Sequence, residues 1–167
     1  MRNSKALYIT KAAAVAALYT VLTLFAWFLN LSNGPIQIRI SEALTVLPFF
    51  MPEAVPGLFV GCIISNLITG CLPWDVVFGS IATLIGGVGT YFIGKIKLGT
   101  LNLKIKKWLA PLPPIISNTL IIPFILIKVY GSEGIYPYFM LTIGIGEFLS
   151  AGVLGMILLF STKRYQS

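Results

Sequence analysis

Four long stretches of this sequence are apolar, and each carries a single charged side chain. They cover residues 9–29, 74–94, 108–130 and 137–160. A helix needs about 20 apolar residues to cross the roughly 30 Å of hydrocarbon in a bilayer. Soluble domains contain about 25% charged residues, whereas this chain contains 10% and has a mean hydropathy of +0.92. We therefore predict an all-α integral membrane protein with one transmembrane domain over residues 1–167.

The segment from residue 42 to residue 71 is too long for one span and is interrupted by prolines. Because the residue before a proline avoids the helical region of backbone space, we expect a break at Pro52. We predict two short helices here, at 41–51 and 54–71, joined by a turn. Together with the four long stretches they make a bundle of six transmembrane helices.

Basic residues gather on one side of this predicted bundle. Ten of the 12 Lys and Arg residues precede or open the first span, fill the loop 95–107 or follow the last span. The exceptions are Arg39 and Lys128. Since basic residues favour the cytoplasmic side of a membrane, we expect both termini and this loop in the cytoplasm, on a multi-pass protein of the cell membrane. The net charge of +7 reflects topology and contact with anionic lipid, so it requires no nucleic-acid partner.

The sequence offers little for catalysis, metal binding or nucleotide binding. It contains no His, so a serine triad would lack its usual base, and its two Cys residues are too few for a metal cage. The segment 89–95 resembles the start of a phosphate-binding loop, but Ile96 stands where that motif requires Ser or Thr. We therefore predict a protein that is not an enzyme and uses no cofactor or metal.

Two polar residues lie at depths where burial is expensive. Glu147 is ten positions into the last span, about 15 Å from its outer end at 1.5 Å per residue, and Asn118 reaches nearly the same depth. An ionisable residue at this depth usually faces a cavity or a partner, so one interpretation is a ligand-binding pair. The alternatives are a structural pair or a protonated side chain for Glu147, and a bond between helices for Asn118.

Further polar residues are expected at the outer rim. Gln37, Arg39 and Glu42 lie in the segment before the second helix, and Trp74 and Asp75 open the fourth helix. Each also has a simpler explanation. Arg39 and Glu42 could pair with each other, Asp75 is favoured at a helix N-terminus, and Trp74 is a typical interfacial anchor.

Small residues form stripes on the first and third helices. Gly57 and Gly61 make a GxxxG pattern, which predicts close internal packing. The first helix carries two overlapping small-xxx-small patterns, made of Ala12, Ala13, Ala16 and Ala17. This alanine stripe could pack internally or receive a second membrane protein, and composition does not decide between the two.

Five segments of the chain resemble the queuosine-precursor transporter family, QueT. They are GPIQIRISEALTVLP at 34–48, PEAVPGL at 52–58, WDVVFGSIATL at 74–84, PPIISN at 113–118 and GIGE at 144–147. The resemblance extends over nearly the whole chain, apart from the loop 95–107 and both termini. It implies a substrate-binding (S) component of an energy-coupling factor (ECF) transporter, with six helices and a deazaguanine substrate (preQ0, preQ1 or queuine) captured from outside.

The same resemblance implies protein partners. They are a transmembrane coupling subunit and two cytoplasmic ATPases, which would supply the energy for uptake. In such components an Ala-x-x-x-Ala face of the first helix docks on the coupling subunit. In this chain that face would be either Ala12 with Ala16 or Ala13 with Ala17.

The chemistry of a deazaguanine suggests roles for the polar residues. Its ring N–H lies beside an exocyclic amine, and a carboxylate can accept both in a two-pronged pair. Glu147 is expected in this role, with Asn118 or Gln37 at the ring carbonyl or ring nitrogens. The remaining expected contacts are stacking on Trp74 and Phe78, an aminomethyl cation held by Asp75 or Glu42, and a lid ordered by Arg39.

Three other functions compete with this interpretation. The main alternative is a stand-alone small-molecule or multidrug transporter coupled to protons through Glu147. An intramembrane enzyme is disfavoured because no nucleophile and base share a depth. A purely structural scaffold is disfavoured because a buried carboxylate lowers stability unless something pairs with it.

Overall fold

The computed structural model describes residues 2–31, 37–96 and 102–162, and the regular elements in this part of the chain are all helical, with no strand. Its elements, in chain order, are α1 (Arg2–Phe28), a 3₁₀ helix (Ile40–Phe49), α2 (Ala54–Ile68), α3 (Pro73–Lys95), α4 (Leu103–Leu109), α5 (Leu112–Lys128), α6 (Tyr136–Glu147), a π-helical segment (Phe148–Leu154) and α7 (Gly155–Ser161).

Four helical stretches are long and apolar enough to cross a membrane. They are Ser4–Phe28, Pro73–Lys95, Leu103–Lys128, which joins α4 and α5, and Tyr136–Ser161, which joins α6 to α7. The 3₁₀ helix and α2 are shorter apolar helices. The six predicted helices and the multi-pass membrane location are therefore confirmed. The orientation of the termini stays a prediction, and three of the basic residues behind it lie outside the described residues: Lys97, Lys163 and Arg164.

The second helix differs from the expected geometry and position. It is a ten-residue 3₁₀ helix with Pro48 inside it, although 3₁₀ runs longer than three or four residues are uncommon. Seven of its residues are buried, and Glu42 is fully buried. Because this helix lies inside the bundle, Glu42 is an interior residue and not part of the outer rim where we expected it.

Helices α1 and α2 approach each other closely at the small-residue stripes. A Cβ atom on Gly57 would lie 2.6 Å from the carbonyl oxygen of Ala12, and one on Gly61 would lie 2.9 Å from that of Ala16. Internal packing therefore uses one pair of the alanine stripe. The other pair, Ala13 and Ala17, is exposed on the neighbouring face of α1.

An ion pair ties α1 to the turn before α2. Lys11 Nζ lies 3.2 Å from Glu53 Oε1, and this is the single ion pair within 4.0 Å in the described part of the chain. The pKa of the Glu53 carboxyl is below its usual value because its own backbone N–H donates to it, with Lys11 adding to the effect. This contact lies at the N-terminal end of the bundle, far from the cavity described next.

Candidate functional site

A polar cavity of about 300 Å³ lies at the end of the bundle opposite the N-terminus. It is formed by the last turns of α1, α2 and α5, the start of α3 and the segment before the 3₁₀ helix. Its wall includes Trp27, Gln37, Arg39, Asn66, Asp75 and Tyr130. A volume of this size is at the lower end of the range of small-molecule sites. Three of the predicted site residues, Gln37, Arg39 and Asp75, therefore share one cavity.

Asp75 is anchored at the rim of this cavity by Tyr130. The Tyr130 hydroxyl donates to Asp75 Oδ2 over 3.0 Å, and the backbone N–H of Leu72 donates to the same hydroxyl over 3.2 Å. Burial and the neighbouring Asp75 carboxylate raise the pKa of Tyr130 to about 12. Tyr130 is therefore a neutral donor near pH 7, and it links the end of α5 to the start of α3.

Arg39 lines the cavity from the extended segment that precedes the 3₁₀ helix. Within the described residues no ion pair closer than 4.0 Å includes its guanidinium. The direct Arg39–Glu42 pair that we considered is therefore not formed in this structure. Arg39 keeps its hydrogen-bond donors available to the cavity.

A chain of polar side chains crosses the bundle interior below the cavity. Tyr19 donates its hydroxyl proton to Glu42 Oε1. Asn118 Nδ2 donates to Glu42 Oε2 over 3.4 Å, and Glu147 is a close electrostatic neighbour of both Glu42 and Asn118. These four residues come from α1, the 3₁₀ helix, α5 and α6, so the cluster requires the assembled bundle.

Glu147 lies at the end of this row of polar side chains and has one unpaired acceptor oxygen. Its side chain is 6% exposed, and its Oε2 atom has no hydrogen-bond partner among the described residues. Such an orphaned acceptor is unfavourable unless something pairs with it. The helix adopts π geometry directly after this residue, a distortion that is frequent at functional sites.

Glu147 lies behind the wall of the main cavity. It lines a void of about 10 Å³ with Gln37, Arg39, Ile122 and Ile143, and the first three of these also line the main cavity. The void holds about one water molecule. A heterocycle would therefore reach Glu147 only if the segment that carries Gln37 and Arg39 moved aside.

Trp74 and Phe78 lie on the outside of this cavity. Their rings stack on each other, with centroids 6.1 Å apart and an interplanar angle of 26°. Trp74 is 61% exposed, and Phe78 packs against the buried isoleucines of α5 and α6. The aromatic rings in the cavity wall are instead those of Trp27 and Tyr130. Ligand stacking on Trp74 or Phe78 stays a prediction.

The structure adds four residues that sequence reasoning did not select. Asn66 is buried in the cavity wall, and a signal existed for it, since an amide inside an apolar helix is unusual. Trp27 and Tyr130 carry only the general signal of interfacial aromatic residues. Tyr19 had none, because a tyrosine in an apolar span is indistinguishable from a core residue.

Comparison with known proteins identifies the family. The family model described as QueT transporter matches residues 9–164. The queuosine precursor transporter QueT of Lactococcus lactis subsp. cremoris (strain MG1363) is 40% identical over 86 residues, which cover 51% of this chain and 50% of that protein. The aligned region thus spans about half the length of this curated relative. No solved structure shows a significant match. Because the family model covers most of its length, this chain belongs to the QueT transporter family.

Proposed function

We propose that this protein is the substrate-binding component of an ATP-driven uptake transporter and that its substrate is a queuosine precursor of the deazaguanine type. The observation that carries the proposal is the polar cavity of about 300 Å³ with the unpaired, buried Glu147 oxygen directly behind it. Membership of a transporter family supports transport. The name of the Lactococcus relative supports the substrate class.

The deep end of the site suits a ligand edge that donates hydrogen bonds. Glu147 would accept the ring N–H and the exocyclic amine of the deazaguanine together. Asn118 lies beside Glu147 and is held by Glu42. Its amide would bond to the ring carbonyl or ring nitrogens of the ligand. A guanine-like ring without the amine would leave part of the buried carboxylate unpaired and would therefore bind more weakly.

The outer end of the site suits a ligand that carries a cation. Asp75 faces the cavity while Tyr130 holds it in place, and a carboxylate in this setting would pair with the aminomethyl group of preQ1. Trp27 lines the cavity and would take the stacking role that we expected of Trp74 and Phe78. The preference for a cationic ligand depends on Asp75 alone in this scheme.

Closure of the site would involve the segment that carries Gln37 and Arg39. This segment separates the cavity from Glu147 and packs tightly on α6, since a Cβ atom on Gly146 would lie 2.0 Å from the Gln37 carbonyl oxygen. Ligand entry would displace it and bring Glu147 into contact. Arg39, which has no close ion-pair partner in the described part, would then order the closed segment.

Energy for uptake would come from partner proteins. The exposed pair Ala13 and Ala17 on α1 offers a small-residue surface on which a helix of a transmembrane coupling subunit could pack closely. Ala12 and Ala16 face α2, so they are the poorer candidates. Two cytoplasmic ATPases bound to that coupling subunit would hydrolyse the ATP.

The direct test is to identify and titrate the ligand. Mass spectrometry of small molecules retained by the purified protein should reveal a pyrrolopyrimidine mass. Calorimetric titration with preQ1 and preQ0 should give tight binding to the wild-type protein and weak binding to Glu147→Gln, while the matched control Glu133→Gln, at an exposed position, should bind normally. Retention of an unrelated compound, or equal affinity in all three proteins, would disprove the proposed site.

A proton-coupled transporter is the second candidate. The observation that favours it is the pair of buried carboxylates, Glu42 and Glu147, with no cation within 4.0 Å of either among the described residues. Such a protein should accumulate substrate in vesicles when a proton gradient alone is applied. Uptake that requires both the partner subunits and ATP would exclude it.

A further inference from the structure

A buried lysine lies at the N-terminal end of the bundle, far from the polar cavity. Lys107 in α4 is 7% exposed. Its Nζ atom lies 5.9 Å from the ring centroid of Phe50 and 5.4 Å from that of Phe160. Within the described residues, no ion pair closer than 4.0 Å includes this ammonium. Two aromatic rings flank this ammonium, and rings offer no acceptor comparable with an anion.

An apolar groove adjoins this lysine. It has a volume of about 700 Å³, and its wall is formed by Trp108, Met156, Ile157, Phe160 and Ser161. Phe160 thus contacts both the ammonium and the groove. The groove runs between α4 and α7, which belong to two of the membrane-length stretches, and Trp108 is 66% exposed on it.

We propose that Lys107 and this groove form a binding site for an anionic phospholipid. The phosphate would accept hydrogen bonds from the Lys107 ammonium, and an acyl chain would lie along Trp108, Ile157 and Phe160. Basic pockets between spans are a known setting for anionic head groups.

The combination of charge and apolar surface is what selects a lipid. Free phosphate would satisfy the ammonium but would leave the groove empty. A zwitterionic lipid would fill the groove but would bring a cation close to Lys107. A lipid with net negative charge satisfies both parts of the site, and the groove lies on helices that are long and apolar enough to cross the hydrocarbon.

Fluorescence quenching can test the site on the full chain. With Trp27→Phe and Trp74→Phe, Trp108 becomes the single tryptophan, and brominated lipids quench a tryptophan that they contact. The bilayers mix phosphatidylcholine with phosphatidylglycerol, and one of the two lipids is brominated in each experiment. Brominated phosphatidylglycerol should quench Trp108 with about fivefold higher apparent affinity than brominated phosphatidylcholine, as one extra lysine contact provides. Lys107→Gln should abolish this preference and Lys107→Arg should preserve it. Lys128→Gln, at the other end of the bundle, is the matched control and should change nothing.

Three results would overturn the proposal. The first is equal quenching by brominated phosphatidylglycerol and brominated phosphatidylcholine in a single-tryptophan protein whose circular dichroism matches the wild type. The second is a phosphatidylglycerol preference that persists in Lys107→Gln. The third is thermal protection by inorganic phosphate equal to that by phosphatidylglycerol, which would indicate a site for free anion. If the second result is accompanied by a failure of Lys107→Gln to co-purify with the coupling subunit, the anion belongs to a protein partner.

Discussion

Asn118 donates a hydrogen bond from Nδ2 to Glu42 Oε2 over 3.4 Å, and this contact joins two residues that are 76 positions apart in the chain. Both side chains are buried, with 3% exposure for Asn118 and none for Glu42. The contact links α5 to the 3₁₀ helix and turns the Asn118 amide toward the carboxylates of the interior. The geometry of the deep end of the site therefore depends on Glu42, although Glu42 lines neither of the two cavities described above.

Removal of the Tyr19 hydroxyl should destabilise the bundle. Tyr19 donates to Glu42 Oε1 in the interior, so Tyr19→Phe would leave a buried carboxylate oxygen without its donor. We expect a loss of about 1–3 kcal/mol in stability, measured by thermal unfolding in detergent micelles. Tyr138→Phe, at an exposed ring, is the control and should stay within about 0.5 kcal/mol. Equal unfolding of both variants would mean that Glu42 needs no donor from α1.

A thermodynamic cycle should show whether Glu147 accepts the exocyclic amine of the ligand. In the wild-type protein, a deazaguanine analogue without this amine should bind at least tenfold more weakly, or about 1.4 kcal/mol. In Glu147→Gln the parent ligand should lose about 2 kcal/mol, and the difference between the two ligands should largely disappear. Calorimetry on the four combinations gives the coupling energy.

The same cycle at Asp75 provides a comparison. Asp75→Asn should weaken preQ1, which carries an aminomethyl cation, and should leave preQ0, which lacks this cation, nearly unchanged. A coupling energy near zero at Glu147 would contradict the two-pronged contact. An equal loss of both ligands in Asp75→Asn would show that Asp75 acts through the fold and not through charge.

The two halves of the alanine stripe should behave differently. Ala13→Leu and Ala17→Leu change exposed positions, so they should leave ligand binding intact but prevent co-purification with the coupling subunit. Ala16→Leu should instead destabilise the protein, because Ala16 faces α2 at Gly61. Co-expression with the coupling subunit followed by affinity purification separates these outcomes. Normal complex formation by Ala13→Leu and Ala17→Leu would exclude this surface as the docking site.

Tyr130 should make the stability of the protein sensitive to alkaline pH. Its pKa is raised to about 12 by burial and by Asp75, whereas a tyrosine in the unfolded chain titrates near pH 10. The contribution of Tyr130 to folding is therefore complete below pH 10 and is lost as the pH rises toward 12.

The difference between wild type and Tyr130→Phe isolates this effect from other groups. Unfolding temperatures in detergent, measured from pH 8 to pH 12, should fall more steeply for the wild type above pH 10. Parallel curves for the two proteins would mean that the Tyr130–Asp75 contact contributes nothing to this pH dependence.

The membrane-spanning helices and the buried polar residues could be recognised from the sequence because both depend on local features. A stretch of about 20 apolar residues is stable across a bilayer whatever its neighbours are. Glu147 and Asn118 are conspicuous because each interrupts such a stretch, and both prove to lie in one interior cluster. The GxxxG pattern on α2 similarly predicted close packing, and α1 indeed passes over Gly57 and Gly61.

The direction in which each side chain points could not be predicted in the same way. Glu42 is buried because the short helix lies inside the bundle, where all six residues from Ser41 to Val46 are buried. Trp74 points outward, and only one alanine pair faces α2, because helix rotation is set by contacts with residues distant in the chain. The apolar runs therefore specify the helices, whereas the packing of those helices selects the residues that line the cavity.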